Sequence, residues 1–255
     1  MRLGAAALLY YVSQAATSIL PHPQSTLLYP SALNSVHDAD FRIPTAHESA
    51  IQARRILHLE DIGTLSTVFP SSSSSDDDAS FLENRPNDVS GSPIGLMDYF
   101  GDCEPSTGNP TILAISIATS FKNVAAGSNI TLSLRWHPPD AHKKRYSAAN
   151  LPRYSLVGYL EEIGDDEATE KGVARCFTGY HPDARAWLPG NRIHESHWVR
   201  LVVQDIYWIG GFGDRAYIGW IPIDDWRNVT MDEIASCRLP GERTSASYLA
   251  RFLPW

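Results

Sequence analysis

Residues Asn129–Trp136, NITLSLRW, put Ile130, Leu132, Leu134 and Trp136 on one face and Thr131, Ser133 and Arg135 on the other. A longer run, Trp198–Gly210, does the same: Val199, Leu201, Val203, Asp205 and Tyr207 share one side, and Trp198, Arg200, Val202, Gln204, Ile206 and Trp208 the other. A period of two is the signature of a strand with one face buried. Such a strand satisfies its backbone only by pairing with others, so these runs commit the chain to a sheet. Trp198 and Trp208 share a side with Arg200 and Gln204, which predicts a barrel wall or dimer contact rather than a dry core. Between the long run and a following one, RAYIGWI, lies Gly210-Gly211-Phe212-Gly213. A glycine loop that cradles phosphate needs a helix N-terminus after it. A strand follows here and the spacing is not G-x-G-x-x-G, so the cluster predicts a hairpin turn with Phe212 at its tip.

The remaining elements fit the same plan. Thr45 and Glu48 form a capping box before Ala46, Ala50, Ala53, Ile56 and Leu57, which fall on one helical face. Gly63 marks a turn into a short strand. Ile112–Phe121 alternates and predicts a strand, joined to the next by a short connection containing Gly127. Arg153–Ile163 predicts another strand. Asp165–Pro182 reads as one helix, capped by Asp165 or Asp166, with Thr169, Val173, Cys176, Phe177 and Tyr180 as its apolar stripe. Cys176 is then a core thiol rather than a reactive one. Asp224 and Asp225 fit a turn or helix cap after Pro222, and Thr230 to Glu233 is a second capping box. Many antiparallel strands with few helices predict a mainly β barrel with flanking α elements.

The order of these segments sets the domain plan. Residues 1–18 read as a secretory signal: Arg2 is the positive region, Leu3–Val12 the apolar region, and Ser13–Ala15 or Ala16–Ser18 the small-residue cleavage site. Residues 19–44 are an extended lead-in rich in Pro and Ser, 45–236 the barrel domain, and 237–255 a tail. Within the domain, Pro70–Asp78 (PSSSSSDDD) is a polar insertion that buries nothing and reads as a solvated loop. Ser71 to Glu104 holds eight acids against one base, Arg85, and so accounts for −7 of the net −8. That charge argues against nucleic acid or an anionic membrane as partner. No later apolar run is long enough to span a bilayer.

Reactive constellations are scarce. There is no G-x-S-x-G elbow, and the adjacent acids Glu161–Glu162 sit on opposite faces of a strand. His194-Glu195-Ser196-His197 is one residue short of the zinc helix motif and precedes a strand, so no metal site is expected. Cys103, Cys176 and Cys237 allow one disulfide and a free thiol, or none, and spacing chooses no pair. Asn129-Ile130-Thr131 and Asn228-Val229-Thr230 are glycosylation sequons.

Five segments in order carry a family resemblance: Ala53–Thr67, Asn109–Leu134, His181–Pro189, Ile206–Gly213 and Ile221–Thr230. Together they resemble the CREG-type (cellular repressor) secreted glycoproteins, members of the FMN-binding split-barrel superfamily that includes pyridoxamine-phosphate oxidase. The resemblance covers roughly residues 45 to 235. It implies an antiparallel split β-barrel, homodimeric and N-glycosylated, with Asn228 placed like the family's sequon, secreted or held in a vacuolar, lysosome-like lumen. The family resembles flavin enzymes without being established as one, and with no catalytic constellation in the sequence the expected function is non-catalytic, acting by binding a partner. Flavin-binding relatives hold the FMN phosphate with basic and hydroxyl side chains on two neighbouring strands. Ser120 and Lys122 match one of these places, while the other, Gly63–Phe69, carries no Lys or Arg. The oxidase's Arg-x-His near the C-terminus is absent, since no histidine follows His197. Other relatives with a similar glycine hairpin handle haem, for which His194 and His197 are the candidate axial ligands. An FMN-dependent oxidoreductase and a haem-binding or haem-degrading protein are thus the alternatives.

Overall fold

A computed structural model describes residues 42–70, 86, 88–139 and 146–242. The signal segment, nearly all of the lead-in and of the polar insertion, and the tail beyond 242 lie outside the described residues.

The chain opens on helix α1 (Ala46–Leu59), with the Thr45–Glu48 capping box in place and Ala50, Ala53, Ile56 and Leu57 buried. Strands β1 (Ile62–Val68), β2 (Pro93–Tyr99) and β3 (Thr111–Ile115) follow, then a short helix α2 (Thr119–Ala125), β4 (Ile130–Arg135) and β5 (Arg153–Glu162). Helices α3 (Asp165–Glu170) and α4 (Val173–Tyr180) lead to the long β6 (Ser196–Ile209) and β7 (Ile218–Ile221). Helices α5 (Ile223–Arg227) and α6 (Met231–Ser236) close the domain, the second with the Thr230–Glu233 capping box.

All strand pairs are antiparallel, in the order β2-β1-β4-β5-β6-β3, with β7 also on β6. This is the curled, mainly β split-barrel sheet with flanking helices. Inward residues form rows across it. Leu65 faces Leu132, Leu132 faces Leu156, Leu156 faces Ile206 and Ile206 faces Ile221. Period-two alternation puts each of these on the barrel side, where burial contributes roughly 1.5–3 kcal/mol per side chain. Helix α1 seals this core. Its Arg54 is wholly buried, donates to the carbonyls of Trp226 and Pro105, and lies 5.2 Å over the Trp226 ring.

Several expectations are corrected. The strand expected over Ile112–Phe121 ends at Ile115. There β3 reaches the start of its partner, since Ile115 pairs with Ser196. With no strand left to pair, the chain turns into α2, and Phe121 swings into the core. The single helix expected over Asp165–Pro182 is two, broken where Gly172 adopts φ +62°. Its cap is Gly164 rather than Asp165 or Asp166. Strand β2 had no alternation to announce it.

The two tryptophans are not on a wet wall. Trp208 is 1% and Trp198 5% exposed, in two different apolar clusters. Trp198 stays on the face away from the barrel and is covered there by α4, whose Phe177 meets it edge to face at 5.1 Å; a bulge explains Trp208. Val157 pairs with Asp205 but Gly158 with Val203, so Gln204 is an extra residue and the faces of β6 switch there. Val199, Leu201 and Val203 point inward before it, Ile206 and Trp208 after it. Gly158 permits the close approach: a Cβ there would lie 2.1 Å from the Val202 carbonyl oxygen.

Cys176 is not a free core thiol. It forms a disulfide with Cys103, tying α4 to the segment after β2, and Cys237 is free.

Candidate functional site

The outer face of the sheet carries one continuous row. Met97 of β2 stands opposite Thr64 of β1, Thr64 opposite Ser133, Ser133 opposite Ser155, Ser155 opposite Tyr207, and Tyr207 opposite Trp220. Directly opposed residues in antiparallel pairs share a face. Small hydroxyl residues therefore make a floor and large side chains make both flanks. The result is a groove of about 790 Å³ lined by Thr64, Met97, Ser133, Ser155 and Tyr207. The Ser133 and Ser155 hydroxyls hydrogen-bond at 2.8 Å. Tyr207 meets Trp220 edge to face at 5.1 Å. Met97 is 80% and Trp220 58% exposed, unusual for large apolar side chains on a sheet face.

One end of the groove is polar. Arg135 and Arg153 pair across β4 and β5. The Arg135 Nε–H donates to Nε2 of His137 at 2.7 Å, and His137 Nδ1 meets Glu60 Oε2 at 2.9 Å. Because Nε2 accepts, the proton sits on Nδ1 and points at Glu60. Glu60 also accepts the His137 backbone N–H at 2.7 Å. Burial pushes the Glu60 carboxyl above its ordinary value, against the pull of His137.

The residues singled out in the sequence lie elsewhere. Ser120 is 2% exposed inside α2. Lys122 instead lines a cavity of about 330 Å³ at the barrel mouth, together with His197 and Glu162. On a helix, residues two apart do not face each other. The phosphate clamp expected from Ser120 and Lys122 needed a strand, and here the two side chains do not converge. The space between α2 and β1 is filled by the chain itself, where Asn123 Nδ2 donates to Thr67 Oγ1 at 3.0 Å. These residues do not fit an FMN phosphate. His194 is exposed on a loop and His197 begins β6, so only His197 reaches the mouth cavity. That cavity is too small for a porphyrin, and the pair does not fit haem. Asn129 and Asn228 are both exposed, the latter at the end of α5. The glycine cluster turns the β6–β7 hairpin as read: Gly213 has φ +71° and Phe212 stands in solvent. The groove itself was not read from the sequence. Its signal, the outward Thr131, Ser133 and Arg135 of one strand, needs the register of five others to mean anything.

A seven-stranded antiparallel sheet curled around one core, with helices flanking it, defines a split-barrel protein. A family model described as CREG, beta-barrel matches residues 44–228, and the chain belongs to that family. No curated protein matches it. Among solved structures it is similar to a heme binding protein from Mycobacterium smegmatis, at 18% identity and TM-score 0.50, over 73% of this chain and 61% of that one. It is also similar to a protein of unknown function from Agrobacterium tumefaciens, at 24% identity and TM-score 0.45, over 65% of this chain and 58% of that one. A third is a FAD and heme binding protein from M. smegmatis, at 16% identity and TM-score 0.40, over 72% of this chain and 76% of that one. The chain thus spans less than two thirds of the length of the first two. At 18% identity the likeness to the first is one of fold.

Proposed function

We propose that this chain is a glycoprotein of the secretory route, outside the cell or in a vacuolar lumen, that acts by binding rather than by catalysis. In this reading two copies pair through the outer face of the sheet. The observation that carries it is the bare apolar flanking of that face: Met97 and Ile62 on one side, Tyr207, Trp220 and Ile218 on the other. An exposed apolar patch of this kind costs solubility unless something covers it. The family resemblance supplies the second copy as its cover, and the exposed Asn129 and Asn228 support glycosylation. Light scattering of the purified full chain tests the pairing. A dimer that becomes a monomer in Trp220→Asp is the expected result, and a monomer at all concentrations overturns it. A loss of mass on glycosidase treatment of natively expressed protein tests secretion, and no shift counts against both sequons.

A flavin or haem ligand in the outer groove is the second reading. It is favoured by the groove's shape, an aromatic wall at Tyr207 with Arg135 and Arg153 at one end, which suits a flat aromatic anion. An absorbance scan decides: a band near ~450 nm supports flavin and one near ~400 nm haem. A colourless protein that takes up neither on titration removes this reading.

A further inference from the structure

At the barrel mouth the inward register carries charge. On β5, Leu160 and Glu162 share a face, paired with Leu201 and Val199 of β6, and both of those partners are core residues. His197 lies two residues before Val199 and therefore on the same side. Inward positions of a small barrel are filled by apolar side chains. At the mouth two positions of this register are ionisable, the half-buried His197 and the exposed Glu162, and α2 brings a third, Lys122, over the opening. The side chains of Lys122, Glu162 and His197 make no hydrogen bond or ion pair among the described residues. They rim a cavity of about 330 Å³ whose apolar base includes Phe121, Leu160 and Val199. Cavities in barrel mouths with an apolar base and a few convergent polar groups are where small ligands bind.

The signs of the charges narrow the ligand. A simple anion drawn by Lys122 would meet the Glu162 carboxylate, and a simple cation drawn by Glu162 would meet Lys122. A molecule with both charges close together satisfies each. We propose that this mouth binds a small zwitterion with an apolar side chain, a free amino acid or dipeptide. Its carboxylate pairs with Lys122, its ammonium with Glu162, and its side chain lies on Phe121, Leu160 and Val199. His197 supplies a hydrogen bond to the ligand's carboxylate or peptide group. The site is separate from the outer groove and does not depend on what covers that face.

The test is a protein-observed NMR titration of the full chain with leucine, N-acetyl-leucine, which lacks the ammonium, and leucinamide, which lacks the carboxylate. Leucine is expected to bind saturably, and each blocked analogue at least about tenfold more weakly. Lys122→Met should abolish the preference for leucine over leucinamide, and Glu162→Gln the preference over N-acetyl-leucine. Both side chains sit at the rim, so the variants keep the fold, which their unchanged spectra away from the mouth would verify. No saturable binding, equal binding of all three compounds, or preferences unmoved by the substitutions would each overturn the proposal.

Discussion

Arg135 and Arg153 stand directly opposite each other across β4 and β5, and neither guanidinium has a carboxylate partner among the described residues. Arg153 donates from Nη1 to the carbonyls of Ala149 and Leu151, at 3.3 and 3.4 Å, and Arg135 leans on His137. Like charges in this position weaken a strand pair. Arg135→Gln should therefore raise stability by about 0.2–1 kcal/mol. The gain should shrink as salt screens the repulsion. Urea unfolding at low and high salt measures both effects, and a loss of stability at low salt would show that the Arg135–His137 bond outweighs the repulsion.

Arg54 holds α1 to two distant segments from inside the core. Truncation to Ala removes the Arg54 donors from the buried carbonyl of Trp226 and the part-buried carbonyl of Pro105. Each such loss costs about 1–3 kcal/mol, so Arg54→Ala should lose about 3 kcal/mol or more. Arg54→Lys should recover only part of this, because one ammonium does not reproduce the fork that reaches both carbonyls. Burial already pushes the Arg54 guanidinium down from its ordinary value, a measure of how little solvent it sees. Chemical denaturation of both variants against the parent checks the order, and a Lys variant as stable as the parent would contradict it.

The Cys103–Cys176 disulfide closes a loop of 73 residues. A cross-link of that span restricts the unfolded chain, and its loss should cost about 2–4 kcal/mol. The paired Cys103→Ala, Cys176→Ala variant should show a lower Tm than the parent. Mild reductant should lower the parent's Tm to the same value and leave the variant unmoved. A Tm that does not respond to reductant in either protein would refute this.

Acid should weaken the caps late. Glu48 is pushed down to about 2, first by Arg42 and next by the Thr45 backbone N–H. Glu233 is pushed down to about 2, first by the Thr230 backbone N–H and next by His47. A carboxylate depressed in the folded state contributes stability above its unfolded value and loses it as pH falls through the folded one. The contribution is thus complete above the ordinary value of 4.5 and disappears towards about 2. Glu60 and Asp98, raised chiefly by burial, act in the opposite sense, since acidification relieves their buried charge. The caps should remain intact at about pH 5, and Glu233→Gln should flatten the decline of Tm below pH 4.5. A variant whose acid limb matches the parent's would show that Glu233 is not among the groups responsible.

Short-range rules were legible and held. The Thr45–Glu48 and Thr230–Glu233 boxes cap the helices they announced. Ile130, Leu132 and Leu134 point inward, and the glycine cluster turns a hairpin. The candidate site was not legible in the same way. Ser120 and Lys122 looked like strand neighbours because Ile112–Phe121 alternates, and α2 separates them. Lys122 and His197 were singled out for different ligands, yet they line one cavity.

The sequence by itself determined the local elements, since a capping box, a period of two or a glycine turn acts through geometry within a few residues. Only the tertiary structure decided which strands lie side by side. It placed the bulge at Gln204 that buries Trp208, and it chose Cys103 as the partner of Cys176. It also aligned Met97, Thr64, Ser133, Ser155, Tyr207 and Trp220 into one groove. Those choices rest on packing summed over residues far apart in the chain. A shift of one position in any strand would turn that strand's member of the row, and all its other side chains, to the opposite face.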